Sequence, residues 1–340
     1  MTNPSSIVDG SYPPGFRGTT PFFVANALLS DRGALRARLE ADGYLFFKSV
    51  IPTDALRTVH QDFRSILETL EVVHAECGDD PMKAACKPFR EGEQAYFDVH
   101  DQLYTVESFH RLVQHPALMQ VVREVLGDTA FPHPLAILRL IFPGNLPVTT
   151  PPHQDFPNNQ GSKNLTAAWI PLTDCPARLG PLAVLSGSHK FGVMPLQHHL
   201  GAGNRAAKLD PCMDQLEWHG GDFELGDILL FSALTVHSAT HNLDPTAMRI
   251  SVDFRYQVEG EPLTEQCLEP HFGRLSWDKI YKGWQRNDLN YYWRDKRFDV
   301  VPWDPALQQI SEKDAAAGMK AALKYAVDRG DLKFDISSLK

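Results

Sequence analysis

The segment His153-Gln154-Asp155 sets an imidazole and a carboxylate two residues apart. On an extended strand such residues point to the same side, so both side chains can aim at a common point. A second histidine would complete the two-imidazole, one-carboxylate set that holds Fe(II) on one face and leaves the other open. Nitrogen and oxygen donors without thiolate suit redox-active iron better than structural zinc. His-x-Asp also arises by chance in hydrogen-bonded turns, so the third ligand decides. His237 is the candidate, because it follows Gly226-Asp227 and the apolar run 228–231, a turn and a buried strand. Further on, residues 249–256 alternate strictly. Ile250, Val252, Phe254 and Tyr256 form one face, and Arg249, Ser251, Asp253 and Arg255 the other. A core strand with one polar face needs solvent or a polar ligand on that side. Arg249 and Ser251 can grip a carboxylate, the guanidinium by its fork and the hydroxyl by a hydrogen bond. A co-substrate with a distal carboxylate, bound beside the metal, would supply that partner. Asp253 and Arg255 either pair with neighbours or line the pocket, where they would meet substrate.

These side chains need a scaffold, and the composition allows one. The chain has 340 residues, 43% hydrophobic and 22% charged, which excludes disorder and coiled coil as overall descriptions. Its net charge of −9 is poorly suited to coating phosphate, so neither nucleic acid nor an anionic membrane is an expected partner. No stretch approaches the roughly 20 apolar residues of a membrane span, and residues 1–14 show no secretory pattern. The five cysteines (Cys77, Cys86, Cys175, Cys212, Cys267) are odd in number and lack a C-x-x-C pair. They read as free thiols of a cytoplasmic protein.

The front of the chain, 30–130, reads mainly helical. Ser30 is placed to cap a first helix that Gly43 closes. A short buried strand follows at 44–47. Thr53 opens a longer helix carrying Leu56, Val59, Phe63, Ile66 and Leu70, and Pro116 starts another that Gly127 ends. The region 131–258 then carries β-rich runs at 135–142, 165–172, 182–185, 228–231 and 248–257, separated by turn residues as in a sandwich or barrel. The tail, 259–340, reads as a helical extension with an aromatic patch (Trp277, Tyr281, Trp284, Tyr291, Tyr292, Trp293) and a helix over about 314–329. No linker separates these parts, so 1–340 is expected to be a single catalytic domain. The aromatic patch offers an interface for a homodimer.

The motifs His153-Gln154-Asp155, Trp169-Ile170-Pro171-Leu172, Gly180-Pro181-Leu182, Gly187-Ser188-His189-Lys190, Gly226-Asp227, and His237 with Asn242 and Arg249 occur in this order. Together they resemble the phytanoyl-CoA dioxygenase family of iron(II)/2-oxoglutarate-dependent oxygenases, over roughly residues 35–257. The resemblance implies a mainly β protein with flanking helices, built on a double-stranded β-helix (jelly-roll, cupin-like) core. It implies that His153, Asp155 and His237 hold Fe(II), and that Arg249 and Ser251 bind the far carboxylate of 2-oxoglutarate, with dioxygen as oxidant. Gln154 and Asn242 match positions that could orient ligands or co-substrate. Trp169 matches a tryptophan near the co-substrate, or is a plain core aromatic. The implied reaction is hydroxylation of an aliphatic carbon of a small molecule, with release of succinate and carbon dioxide. Two alternatives stay open: a cupin-like metalloenzyme that does not use 2-oxoglutarate, and a related oxygenase performing desaturation or ring formation. The extension after about residue 260 lies outside the family core and would serve substrate closure or dimerisation.

Other residues invite over-reading. His241 lacks the Gly-Asp strand at the right offset, so it ranks below His237. His189 sits in a structural loop motif, and His198-His199 reads as solvated. Cys175 and Ser186 lack the His/Asp set that a nucleophile needs. Arg139 interrupts an apolar strand, and either faces solvent or points into the barrel to meet an anionic substrate group.

Overall fold

The computed structural model describes residues 18–75 and 81–331; Cys77 and the leading residues 1–17 lie outside the described residues. The first helix, Arg32–Asp42, is capped by Asp31, whose carboxylate accepts the Ala34 N–H at 2.9 Å. Ser30 stands one residue too early for that bond, which corrects the expected cap. Gly43 ends the helix with φ 80°, and its bare α-carbon lies against His189 and Thr235, so a side chain there would clash as well as strain the backbone. The helix Thr53–Thr69 buries Leu56, Val59, Phe63 and Leu67 on one face. Pro116–Leu126 starts on its proline and stops at Gly127. Two further helices, Gln94–Leu103 and Glu107–Leu112, fill a stretch of the front for which the sequence alone offers no assignment.

Two antiparallel sheets form the core. In the larger one Tyr44–Phe47, Ile228–Ser232, Thr166–Pro171 and Arg249–Val258 run side by side. Ala130–Pro132 and Ile137–Ile141 complete it against the two ends of Arg249–Val258. The smaller sheet orders Thr20–Pro21, Trp218–Gly220, Leu182–Leu185 and His237–Ala239, with Thr20–Pro21 joining parallel to Trp218–Gly220. The strand bounds fall close to the expected runs. The three-residue strands are too short to show a period of two in sequence.

Alternation divides the larger sheet between two cores. Leu45, Phe47, Ala168, Ile170, Leu230, Ile250, Val252, Phe254 and Tyr256 face the front helices. Tyr44, Phe46, Ala167, Trp169, Leu229 and Phe231 face inward, together with Leu182 and Val184 of the smaller sheet. Arg249–Val258 is therefore buried on both sides almost throughout, and its polar residues project into the jelly-roll interior.

The region after 259 departs from the expected helical extension. It consists largely of 3₁₀ turns and two short parallel strands, Pro262–Thr264 and Asp299–Val301, before the helix Glu312–Asp328 capped by Ser311. Pro262, Pro270, Pro302 and Pro305, with glycines between, interrupt any helical run. The aromatic patch packs inward. Trp277 and Trp293 are buried, Trp284 donates its indole N–H to the Thr105 carbonyl at 3.0 Å, and the Tyr292 hydroxyl bonds the Pro132 carbonyl at 3.1 Å. The patch that suggested a dimer interface thus closes on its own chain. No helix among the described residues is long and apolar enough to cross a membrane.

Candidate metal centre

His153 and His237 are locked across from each other by reciprocal backbone bonds. Each N–H donates to the other's carbonyl, at 2.9 and 3.0 Å. The loop before His237 is pinned in turn. The Ser188 hydroxyl accepts the Val236 N–H at 2.8 Å, and the Thr235 hydroxyl donates to the Gly43 carbonyl at 2.7 Å. The motif Gly187-Ser188-His189-Lys190 therefore works as a clasp: His189 and Lys190 also bond the Glu40 and Ala41 carbonyls. His189 is a structural residue here, not a ligand.

Asp155 departs from the extended geometry read from His-x-Asp. Its φ of −73° and ψ of −29° are helical, and it begins the turn Phe156–Asn159. Pro157 favours that turn, because proline suits the first turn of a helix. The Asn159 side chain donates to the Asp155 carbonyl at 2.9 Å and holds the turn shut. The carboxylate still faces both histidines, with one oxygen 3.8 Å from the His237 Nε2.

Among the described residues, His153, Asp155 and His237 are the one group of histidine, cysteine and acidic side chains that converges as a metal site, with ligand atoms within 4.8 Å of one another. The His153 Nδ1 lies 2.7 Å from the Pro151 carbonyl and the His237 Nδ1 3.0 Å from the Thr235 carbonyl. Those bonds place the protons on Nδ1 and free both Nε2 lone pairs toward the centre. Burial, and then the neighbouring His237, pushes the His153 imidazole down to about 3, and burial lowers His237 too. Burial opposes ionisation of Asp155, yet Arg255 foremost pulls its carboxyl well below the usual range. Two neutral imidazoles and one carboxylate fit an Fe(II) ion.

Further along the interior, Arg249 is 2% exposed and Ser251 is fully buried. One guanidinium nitrogen donates to the Ser251 hydroxyl at 2.6 Å, while the buried Nε has no partner. The guanidinium lies 5.6 Å from the Trp169 ring, which stacks edge-on with Phe223. A buried cation with an unmet donor fits a carboxylate ligand.

The other expected residues take varied places. Gln154 turns away from the centre: its amide donates to the Gly192 and Leu234 carbonyls and accepts the Met194 N–H, stapling two loops. Asn242 ties the turn between His237 and Arg249, donating to the Ala247 carbonyl at 2.8 Å. Gly180 (φ 73°) is required there, since a β-carbon would stand 2.8 Å from the Asn242 nitrogen. Arg139 points inward, opposite Ser251, and forms an ion pair with Glu91. Glu91 lies in a loop and carries no sequence signal of that role. Asp253 is buried on the same face, and burial holds its carboxyl up. Arg255 is engaged with Asp155.

His198 and His199 are half-buried rather than free in a solvated loop. The strand Leu196–His198 pairs with Arg205–Ala207, and the helix Glu312–Asp328 packs on it so closely that a β-carbon on Gly318 would strike the His198 ring. His241 lies 2.9 Å from the Thr149 hydroxyl. Cys175 is buried, with its thiol pushed up to about 12, which suits no nucleophile.

A cleft is lined by Phe89, Glu91, Tyr96, Arg139, Phe142 and Thr149, with Arg139 projecting from the strand Ile137–Ile141. Thr150, also in its lining, connects it to the His237 strand: its carbonyl accepts the Ala239 N–H and the Ser238 hydroxyl.

Comparison with known proteins agrees with this architecture. The phytanoyl-CoA dioxygenase (PhyH) family model matches residues 39–250. The chain is 28% identical over 262 residues to 1-deoxypentalenic acid 11-beta-hydroxylase of Streptomyces arenae, across 72% of this chain and 87% of the relative. It is 26% identical to the enzyme of the same name from Streptomyces exfoliatus, over the same shares. In fold it is similar to the epimerase SnoN, solved with Fe3+, alpha ketoglutarate and nogalamycin RO, at a TM-score of 0.50 and 20% identity over 69% of this chain and 85% of SnoN. The match covers well over half of the chain and spans His153, Asp155, His237 and Arg249: the protein belongs to the phytanoyl-CoA dioxygenase family of iron(II)/2-oxoglutarate-dependent oxygenases.

Proposed function

We propose that the protein hydroxylates an aliphatic carbon of a small, largely apolar molecule, with His153, Asp155 and His237 holding Fe(II) and Arg249 with Ser251 holding 2-oxoglutarate. When bound, iron together with 2-oxoglutarate and dioxygen supplies the oxidising power, and succinate and carbon dioxide leave. The chain's own residues bind and orient. The carbonyls of Pro151 and Thr235 fix the imidazole tautomers. Arg249 and Ser251 fix the far end of the co-substrate, and Trp169 packs beside the guanidinium. Preorganised polar groups in a closed interior act without reorganisation when charge develops. The observation that carries this reading is the sharing of one jelly-roll interior by a converged donor triad and a buried arginine with an unmet N–H.

The cleft supports the substrate class. Phe89, Tyr96 and Phe142 offer apolar wall, and the charged side chains of its lining are already paired, Arg139 with Glu91 and Arg90 with Glu93. Hydroxylation is supported by the two hydroxylase relatives. We read 1–340 as one catalytic unit, because one hydrophobic cluster draws Leu35 from the front, Ile170 from the core and Trp293 from the tail. A cytoplasmic setting is supported by the free cysteines Cys86, Cys175, Cys212 and Cys267.

The test is turnover of a panel of small apolar compounds with Fe(II), 2-oxoglutarate and isotopically labelled dioxygen. The expected outcome is one labelled oxygen in the product and one in succinate. An oxidised product without label would replace hydroxylation by desaturation or ring formation. Product formed without consumption of 2-oxoglutarate would overturn the co-substrate assignment.

A further inference from the structure

Arg255 stands on the inward face of Arg249–Val258, where strand alternation leaves it either to pair with a neighbour or to meet substrate. Its guanidinium is instead engaged with Asp155. One terminal nitrogen lies 2.9 and 3.0 Å from the two carboxylate oxygens, and the Nε lies 3.2 Å from the second of them. The remaining nitrogen donates to the Asp253 carbonyl at 3.3 Å. Each guanidinium nitrogen thus has a partner within the chain. Both side chains are almost fully enclosed, 4% and 2% exposed. The backbone beneath is held as well, since the Arg255 carbonyl accepts the His133 N–H at 2.8 Å. Arg255 also lies beyond residue 250, where the family match ends.

The planar fork does something a point charge cannot. Bonded along one edge of the carboxylate, it fixes the plane of that group and not merely its position. The shared terminal nitrogen holds both oxygens and Nε adds a second bond to one of them, while the other, held by that nitrogen alone at 2.9 Å, lies 3.8 Å from the His237 Nε2. We infer that Arg255 is a positioning residue for the metal, which orients Asp155 so that a single carboxylate oxygen is presented between His153 and His237. The inference rests on the reading of these three residues as the metal ligands.

Charge and geometry make opposite demands here, and that gives a test of sign. A cation beside a divalent metal repels it, so at a pH where Asp155 stays ionised, removing a residue that acts through charge alone would tighten metal binding. A residue acting through orientation would bind it more weakly, by the 10–100-fold typical of partners that orient metal ligands. The probe is Mn(II) added to the metal-free full-length chain, with free Mn(II) followed by its paramagnetic resonance signal. Wild type should bind one ion and Asp155→Ala should not; failure of wild type to bind would sink the triad itself. Given wild-type binding, Arg255→Gln is expected to weaken it roughly a hundredfold and Arg255→Lys, which keeps charge without the fork, about tenfold. Unchanged or tighter binding in either variant would overturn the positioning role while leaving the triad in place. If Arg255→Gln does not fold, Arg255→Lys decides alone. In that variant, at saturating Fe(II), the KM for 2-oxoglutarate is expected to stay within about twofold of wild type, where a loosened interior would shift both constants.

Discussion

Arg249 and Arg255 stand toward opposite ends of one face of one strand, both buried, and they live in different states. Arg255 has every guanidinium nitrogen bonded and faces a carboxylate. Arg249 has a hydroxyl for company and an unmet Nε, and burial lowers its pKa from the ordinary value. A buried cation without an anion is costly, and a fold that keeps one holds it for something that arrives later. The comparison separates two kinds of arginine that sequence places side by side: one completes the protein, and the other, on the proposed reading, completes a complex.

The largest effect should come from the group that Arg255 serves. Asp155→Ala is expected to abolish turnover and metal binding, read by product assay and by metal content after dialysis, because a ligand is lost and Arg255 is left unpaired. Next, Arg249→Met is expected to raise the 2-oxoglutarate KM about a hundredfold, the loss of roughly 3 kcal/mol that a charge-assisted bidentate contact carries. Metal binding should stay near wild type in that variant.

Stability without ligand then sharpens the contrast. Arg255→Met removes one partner of a buried pair and should destabilise the metal-free protein by about 3–5 kcal/mol in urea unfolding. Arg249→Met removes a buried cation that has no anion, and should leave the metal-free protein equally stable or more so. Equal losses in the two variants would erase the distinction.

A smaller effect concerns buried groups kept neutral. Burial pushes His110 and His133 down to about 4 from 6.5. The unfolded chain therefore binds more protons than the folded one between those values. Stability should be unaffected above pH 6.5, fall by about 1.4 kcal/mol per pH unit for each histidine on acidification, and level off below pH 4. His133→Gln should remove one proton from that slope in metal-free protein.

Much of this was legible in the residues themselves. The strict alternation of 249–256 marks a strand with two different faces, and both faces are used as the pattern demands. His153, Asp155 and His237 declare a donor set by type. Sequence does not show how they meet. Asp155 starts a helical turn, and its aim comes from Pro157, Asn159 and Arg255 rather than from strand periodicity. Gln154 and Asn242 keep their amides on backbone carbonyls and N–H groups, a choice set by loops that only the folded chain brings near. Arg139 left two readings open, because its partner Glu91 lies far away in the chain in an irregular loop. In the tail, prolines and glycines hide a set of aromatic contacts that no period encodes.

The central claim is that one interior holds both a metal and a keto acid anchored at Arg249. It is tested most directly by the visible spectrum of metal-free protein under anaerobic conditions, after Fe(II) and then 2-oxoglutarate are added. The account expects a weak charge-transfer band that needs both additions and is lost in Arg249→Met at a 2-oxoglutarate concentration that saturates wild type. Iron binding with no band in wild type, or a band of equal strength in Arg249→Met, would contradict it.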